Sequence, residues 1–198
     1  MKALIIIDPQ NDFCPGGALA VAGGDEIMPQ INAMMDNFDM VVLTQDWHPV
    51  GHSSFASSHY GAEPFTLTEM PYGPQVLWPD HCIQASAGAT FHPALNTDRA
   101  DAIIRKGMNT AVDSYSAFFE NDKTTATGLA GLLQGRGCGH LTMVGLATDY
   151  CVAWSALDGA AQGFKVEVAL PACRAIDLDG SLDAALADMH EAGISLAE

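Results

Sequence analysis

Positive charge is what this sequence has least of: eight Lys and Arg stand against 24 Asp and Glu, a formal net charge of −16. Binding to a nucleic-acid backbone or an anionic membrane surface needs clustered cations, so neither is expected as a partner. Long apolar runs are missing too. The first, Ala3 to Ile7, is cut at Asp8-Pro9. That is too short for a signal-peptide core, and no later stretch approaches the roughly 18 residues of a membrane span. A soluble, cytoplasmic protein is the expectation. Paired cysteines are also absent: the five, at positions 14, 82, 138, 151 and 173, include no CxxC step. In a reducing compartment they are expected as free thiols, and any special one needs its own argument.

What is present is a chain of 198 residues, 48% hydrophobic, enough for one domain over 1–198 with a core that needs no disulfide or metal. The acidity reads as solubility, and self-association into a homo-oligomer is left open. Apolar runs alternate with helical patterns. Leu4–Ile7, Met40–Leu43, Ala102–Arg105, Leu141–Val144 and Val166–Leu170 read as buried strands. Helices are expected over 25–38, 127–134 and 149–162, with a last one capped by Ser181 and ending near Ala192; Ile194 opens a final short strand. Between Asp46 and about Pro93 no period is sustained, and a loop of that length with many aromatics is expected to carry function. The alternation implies a three-layer α/β/α fold with a mostly parallel central sheet.

Ligands of such sheets bind beyond the carboxyl ends of the strands. The residues there are Asp8, Asp46 with His48, Lys106, and Ala147 to Cys151. Cys151 falls in the first turn of a helix, where the dipole favours thiolate and free N–H groups can receive an oxyanion. Asp8 as base, Lys106 as the cation that holds the thiolate and Cys151 as nucleophile form a coherent set. Asp46 and His48, two apart in an extended segment, point the same way. With His52, His81 or both they make one carboxylate and two or three histidines, which suit one divalent ion, zinc first and iron or manganese as alternatives; Cys82 is a lesser substitute for His81. Phe13, Trp78 and Tyr115 lie near these motifs and could sandwich a planar ring, although core packing would account for them equally.

The segments LIIIDPQNDFCPGGALAV, TQDWHPVGHSSFA, WPDHC, Lys106-Gly107 with Tyr115 to Phe118, and GLATDYCV are similar, in order from Ala3 to about Gly193, to the nicotinamidases of the isochorismatase-like cysteine hydrolases. The resemblance implies an amidohydrolase that converts nicotinamide to nicotinate and ammonia through a thioacyl intermediate on Cys151. It casts Asp8 as proton carrier, Lys106 as the group that stabilises the thiolate, and the N–H groups of Ala147 and Cys151 as the oxyanion hole. A cis peptide is implied at Leu146–Ala147. Asp46, His48 and His81 match metal ligands, with His52 a ligand in only some relatives, and Phe13 and Trp78 match ring-stacking residues. The implied partner is a small aromatic carboxamide. The alternative is a related cysteine hydrolase acting on an N-carbamoyl or ureido substrate. A metallohydrolase with a structural Cys151 and a non-catalytic metal-binding module are the remaining readings.

Overall fold

A computed structural model describes residues 1–198. Six parallel strands form the central sheet: β1 (Lys2–Ile7), β2 (Met40–Asp46), β5 (Ala102–Lys106), β6 (His140–Leu146), β7 (Lys165–Arg174) and β8 (Ser195–Ala197). Four helices flank it: α1 (Met28–Met34), α2 (Leu129–Gly135), α3 (Ala153–Ala161) and α4 (Ser181–Glu191). Ala3 to Ile7 and Val41 to Leu43 are all 0% exposed, as β-branched runs covered on both faces should be. β5 is an edge strand, and its Ile103 stays half exposed.

The strand order β5-β2-β1-β6-β7-β8 starts in the middle, winds outward through β2 and β5, then returns to β6 and winds the other way. The reversal opens a crevice between the carboxyl ends of β1 and β6, the place where ligands of doubly wound sheets sit. Register makes the placement specific. Ile7 lies opposite Gly145 and Asp46 opposite Lys106, so Asp8 and the turn after β6 leave the sheet side by side.

Several elements differ from expectation for local reasons. The helix expected over 25–38 is α1 alone, begun by Pro29 in its first turn and followed by a 3₁₀ turn over Met35–Asn37. The helix expected from Asp149 opens as a π-turn over Thr148–Val152 before α3. Ser181 is not the cap of α4: Gly180 holds that position, and the Ser181 hydroxyl donates to Asp149 at 2.5 Å instead. The loop after Asp46 contains an unforeseen hairpin, β3 (Leu67–Met70) with β4 (Gly73–Val76), whose four-residue strands are too short to show a period. No helix is long and apolar enough to cross a membrane.

Gly145 marks where β6 breaks register with β7. Its φ is +118°, and a Cβ there would lie 2.1 Å from the Ile7 carbonyl oxygen. Both the backbone conformation and the contact with β1 exclude a side chain. Gly145→Ala is expected to lower unfolding stability by more than about 2 kcal/mol, read from the urea midpoint.

Candidate active site

The acid, ammonium and thiol that the sequence scatters over more than 140 positions meet at the strand ends. Lys106, buried at the end of β5, has its Nζ 2.8 Å from Asp8 Oδ2, 2.5 Å from Asp46 Oδ1 and 3.5 Å from Cys151 Sγ. It also donates to the Ser114 carbonyl at 2.8 Å. An ammonium has three protons. Four partners surround those three protons: Asp46 Oδ1, the Ser114 carbonyl, Asp8 Oδ2 and, furthest away, Cys151 Sγ. Asp8 Oδ1 is occupied: Thr44 Oγ1 donates to it at 2.6 Å and accepts the Asp8 N–H at 3.0 Å. Oxygens of Asp8 and Asp46 and the sulfur of Cys151 all lie within 4.8 Å of one another.

Burial sets the protonation states. It pushes the Asp8 carboxyl up to about 6 against the pull of Lys106. It acts on Asp46 too, but Lys106, His48 and His81 outweigh it and hold that carboxyl well below the usual range. Burial disfavours the Lys106 ammonium, yet Asp46 and Asp8 raise it well above its ordinary value. For Cys151 the outcome reverses the expectation from the helix dipole. Burial pushes the thiol well above its ordinary value, with Lys106 pulling the other way and Asp8 and Asp46 adding to the rise. A π-turn and a closed site give less stabilisation of the anion than an open helix terminus would.

The Leu146–Ala147 peptide is cis. Beyond it the Ala147 carbonyl accepts the N–H groups of Tyr150 and Val152, at 3.2 and 3.1 Å, and passes over that of Cys151. Ala147 and Cys151 both line the adjoining cavity.

Beside the thiol lies a second cluster. Asp46 Oδ2 is 3.7 Å from His48 Nε2 and 3.9 Å from His81 Nε2. Each ring is oriented from behind, His48 Nδ1 by the Gly107 carbonyl at 3.0 Å and His81 Nδ1 by that of Pro79 at 2.8 Å. Gly107 must be glycine: φ is +66° and a Cβ would lie 2.4 Å from the His48 ring. Burial and the neighbouring His48 push His81 down to about 4, so its Nε2 lone pair is free at neutral pH. Three ligand atoms around an ion at about 2.0–2.2 Å stand roughly 3.3–3.6 Å apart, close to the spacing here. The donor set fits a divalent ion. His52 is not in this set; it groups with His48 and Asp113, and its buried Nε2 has no hydrogen-bond partner. Cys82 joins neither group, and burial pushes its thiol up.

A narrow pocket borders both clusters, lined on its apolar side by Phe13, Trp78 and Tyr115. Leu19, Asp113, Tyr150 and Ile176 complete it; Leu19 and Tyr150 lie within the family-like segments without an assigned role there, and Asp113 and Ile176 lie outside them. Trp78 is held in place: its Nε1 donates to Tyr115 Oη at 3.0 Å, which also accepts from Gln75 Nε2 at 2.7 Å. Gln75, in the unforeseen hairpin, donates to Asp113 as well, at 2.9 Å.

A family model described as the isochorismatase domain matches residues 2–198. A nicotinamidase of Acinetobacter baylyi is 53% identical over 192 residues, covering 97% of this chain and 90% of its own length. One of Escherichia coli is 44% identical over 200 residues, with 98% and 93% covered. Among solved structures, a nicotinamidase of Acinetobacter baumanii superposes with a TM-score of 0.98 at 53% identity, covering 100% of this chain and 95% of the other. A protein of L. infantum in complex with nicotinate gives 0.87 at 40%, with 100% and 92% covered. A pyrazinamidase of Pyrococcus horikoshii in complex with zinc gives 0.80 at 35%, with 100% and 98% covered. Matched along all but its first residue, and alongside relatives named as nicotinamidases, this chain belongs to the isochorismatase family.

Proposed function

We propose that this chain is a single-domain nicotinamidase, hydrolysing nicotinamide to nicotinate and ammonia through a thioacyl intermediate on Cys151. The observation that carries the reading is the convergence of the Cys151 thiol, the Asp8 carboxyl and the Lys106 ammonium beside an aromatic-lined pocket and the cluster of Asp46, His48 and His81. The relatives' nicotinate and zinc complexes support both the substrate class and a divalent ion. Asp46, His48 and His81 would hold that ion, zinc being the first choice. When bound, it supplies a Lewis acid that fixes a pyridine nitrogen and withdraws electron density from the ring.

The chain's own residues then do the chemistry. Phe13 and Trp78 clamp the ring and, with Tyr115, exclude water. The Asp8 carboxylate takes the thiol proton as the sulfur attacks the carboxamide carbon. Lys106 stabilises the thiolate that forms. The N–H groups of Ala147 and Cys151 receive the oxyanion. As the C–N bond breaks, the protonated Asp8 returns its proton to the departing ammonia. The carboxylate next removes a proton from water, which attacks the thioester; nicotinate leaves and the sulfur regains its proton. An N-carbamoyl or ureido substrate would leave the ring clamp and the metal ligands without a task.

Three outcomes test this. Purified protein should release ammonia from nicotinamide, lose that activity on treatment with a chelator, and regain it when zinc is added back. Cys151→Ala should turn over no nicotinamide while metal analysis finds its zinc content unchanged; full activity would overturn the mechanism. Because Asp8 must be ionised to accept the thiol proton and its pKa is about 6, kcat/KM should fall as pH drops through about 6. Asp8→Asn should lose about 10²–10⁴-fold in kcat/KM, along with that acid limb.

A further inference from the structure

Pairing between β1 and β2 ends at Ile6 with Leu43, three residues short of Asp46. Beyond that point the segment leaving β1 no longer serves β2 as a strand. Asp8 spends its N–H on the Thr44 side chain, and Pro9 has none. β5 bonds the next residue, Trp47, through the Lys106 carbonyl at 2.9 Å, so the Asp46 N–H and C=O, which face the other way, would be left without a strand partner.

Gln10 fills the open side. Its side chain is fully buried. The Asp46 N–H donates to Gln10 Oε1 at 2.8 Å, and Gln10 Nε2 donates back to the Asp46 carbonyl at 2.8 Å. This reciprocal pair copies what a neighbouring strand residue provides. The second Nε2 proton goes to the Ala89 carbonyl at 2.9 Å. Both donors of the amide are used, and the amide cannot turn over without losing all three bonds.

We infer that Gln10 is a positioning residue, standing in for a missing strand so that the Asp46 carboxylate is aimed between Lys106 and the two histidines. The inference rests on the reading of Asp46 as a metal ligand. With its own N–H and carbonyl held by Gln10 and the next residue held by β5, Asp46 directs Oδ1 at Lys106 and leaves Oδ2 facing His48 and His81. Ligand placement matters within about 0.5 Å, and a strand end bonded on one edge would not hold that tolerance. Gln10 touches neither the ion's ligand atoms nor the cavity, so it acts through Asp46 alone.

The test challenges zinc-loaded protein with graded chelator, comparing wild type with Gln10→Met, Gln10→Glu and Asp46→Ala. Methionine removes all three hydrogen bonds at similar length. Glutamate keeps the acceptor, loses both donors, and covers the case in which the methionine variant does not fold. The expected result is zinc held about 10–100-fold more weakly by folded Gln10 variants, with an altered visible spectrum after cobalt(II) substitution. A purely structural role would lower the unfolding midpoint but leave zinc affinity and the cobalt spectrum of the folded protein unchanged, and that result overturns the inference. If Asp46→Ala keeps its zinc, the ligand reading fails and the inference falls with it.

Discussion

The ammonium of Lys106 is the interaction on which the site depends. It has no exposed surface, and a lone buried cation would be prohibitively unfavourable. Two buried carboxylates and a carbonyl surround it, and in turn it is the cation that lets those carboxylates stay inside the protein together. Neither member could be buried without the others. The consequence is a division between two otherwise similar aspartates. Asp46, next to Lys106 and two histidines, is held ionised far below neutrality, while Asp8, with burial dominant, titrates near 6. One stays a fixed anion, and the other can change protonation near neutrality, as its proposed role of proton carrier requires.

The thiol follows from the same enclosure. At rest the proton belongs on sulfur, since burial raises Cys151 well above its ordinary value while Asp8 lies near 6. The pair is therefore a neutral thiol beside a carboxylate, unlike a preformed thiolate with an imidazolium. In the proposed mechanism, proton transfer from such a thiol is uphill until charge develops on the substrate, which puts weight on the proposed oxyanion donors.

The long excursion after β2 is what turns a doubly wound sheet into a binding site. It brings His81 back to the end of β2, and its hairpin supplies Gln75, which ties Asp113 and Tyr115 together and so steadies Trp78. The first loop braces it from below: Asp12 Oδ2 accepts the Cys82 N–H at 2.7 Å, fixing the turn just after His81. Side-chain hydrogen bonds to backbone replace regular secondary structure here, which is how an irregular segment can hold ligands in place.

The sequence by itself determined the strands and the rim. Isoleucine and valine runs ended by Asp8, Asp46 and Lys106 dictate a parallel sheet, and the carboxyl-end rule then gathers Asp8, Asp46, His48, Lys106 and Cys151 without reference to any partner. Local chemistry was legible because strand period and helix start signals act over a few residues. Only the tertiary structure decided the rest. The expectation of His81 ahead of His52 rests on resemblance alone, because which of them lies beside Asp46 and His48 depends on how a loop of some forty residues folds back, and no local period encodes that. The direction of the Cys151 shift depends on how completely the site closes, a sum over residues distant in the chain. Gln10 and Asp113 look like ordinary loop polar residues until the fold buries them and gives their hydrogen bonds something to hold.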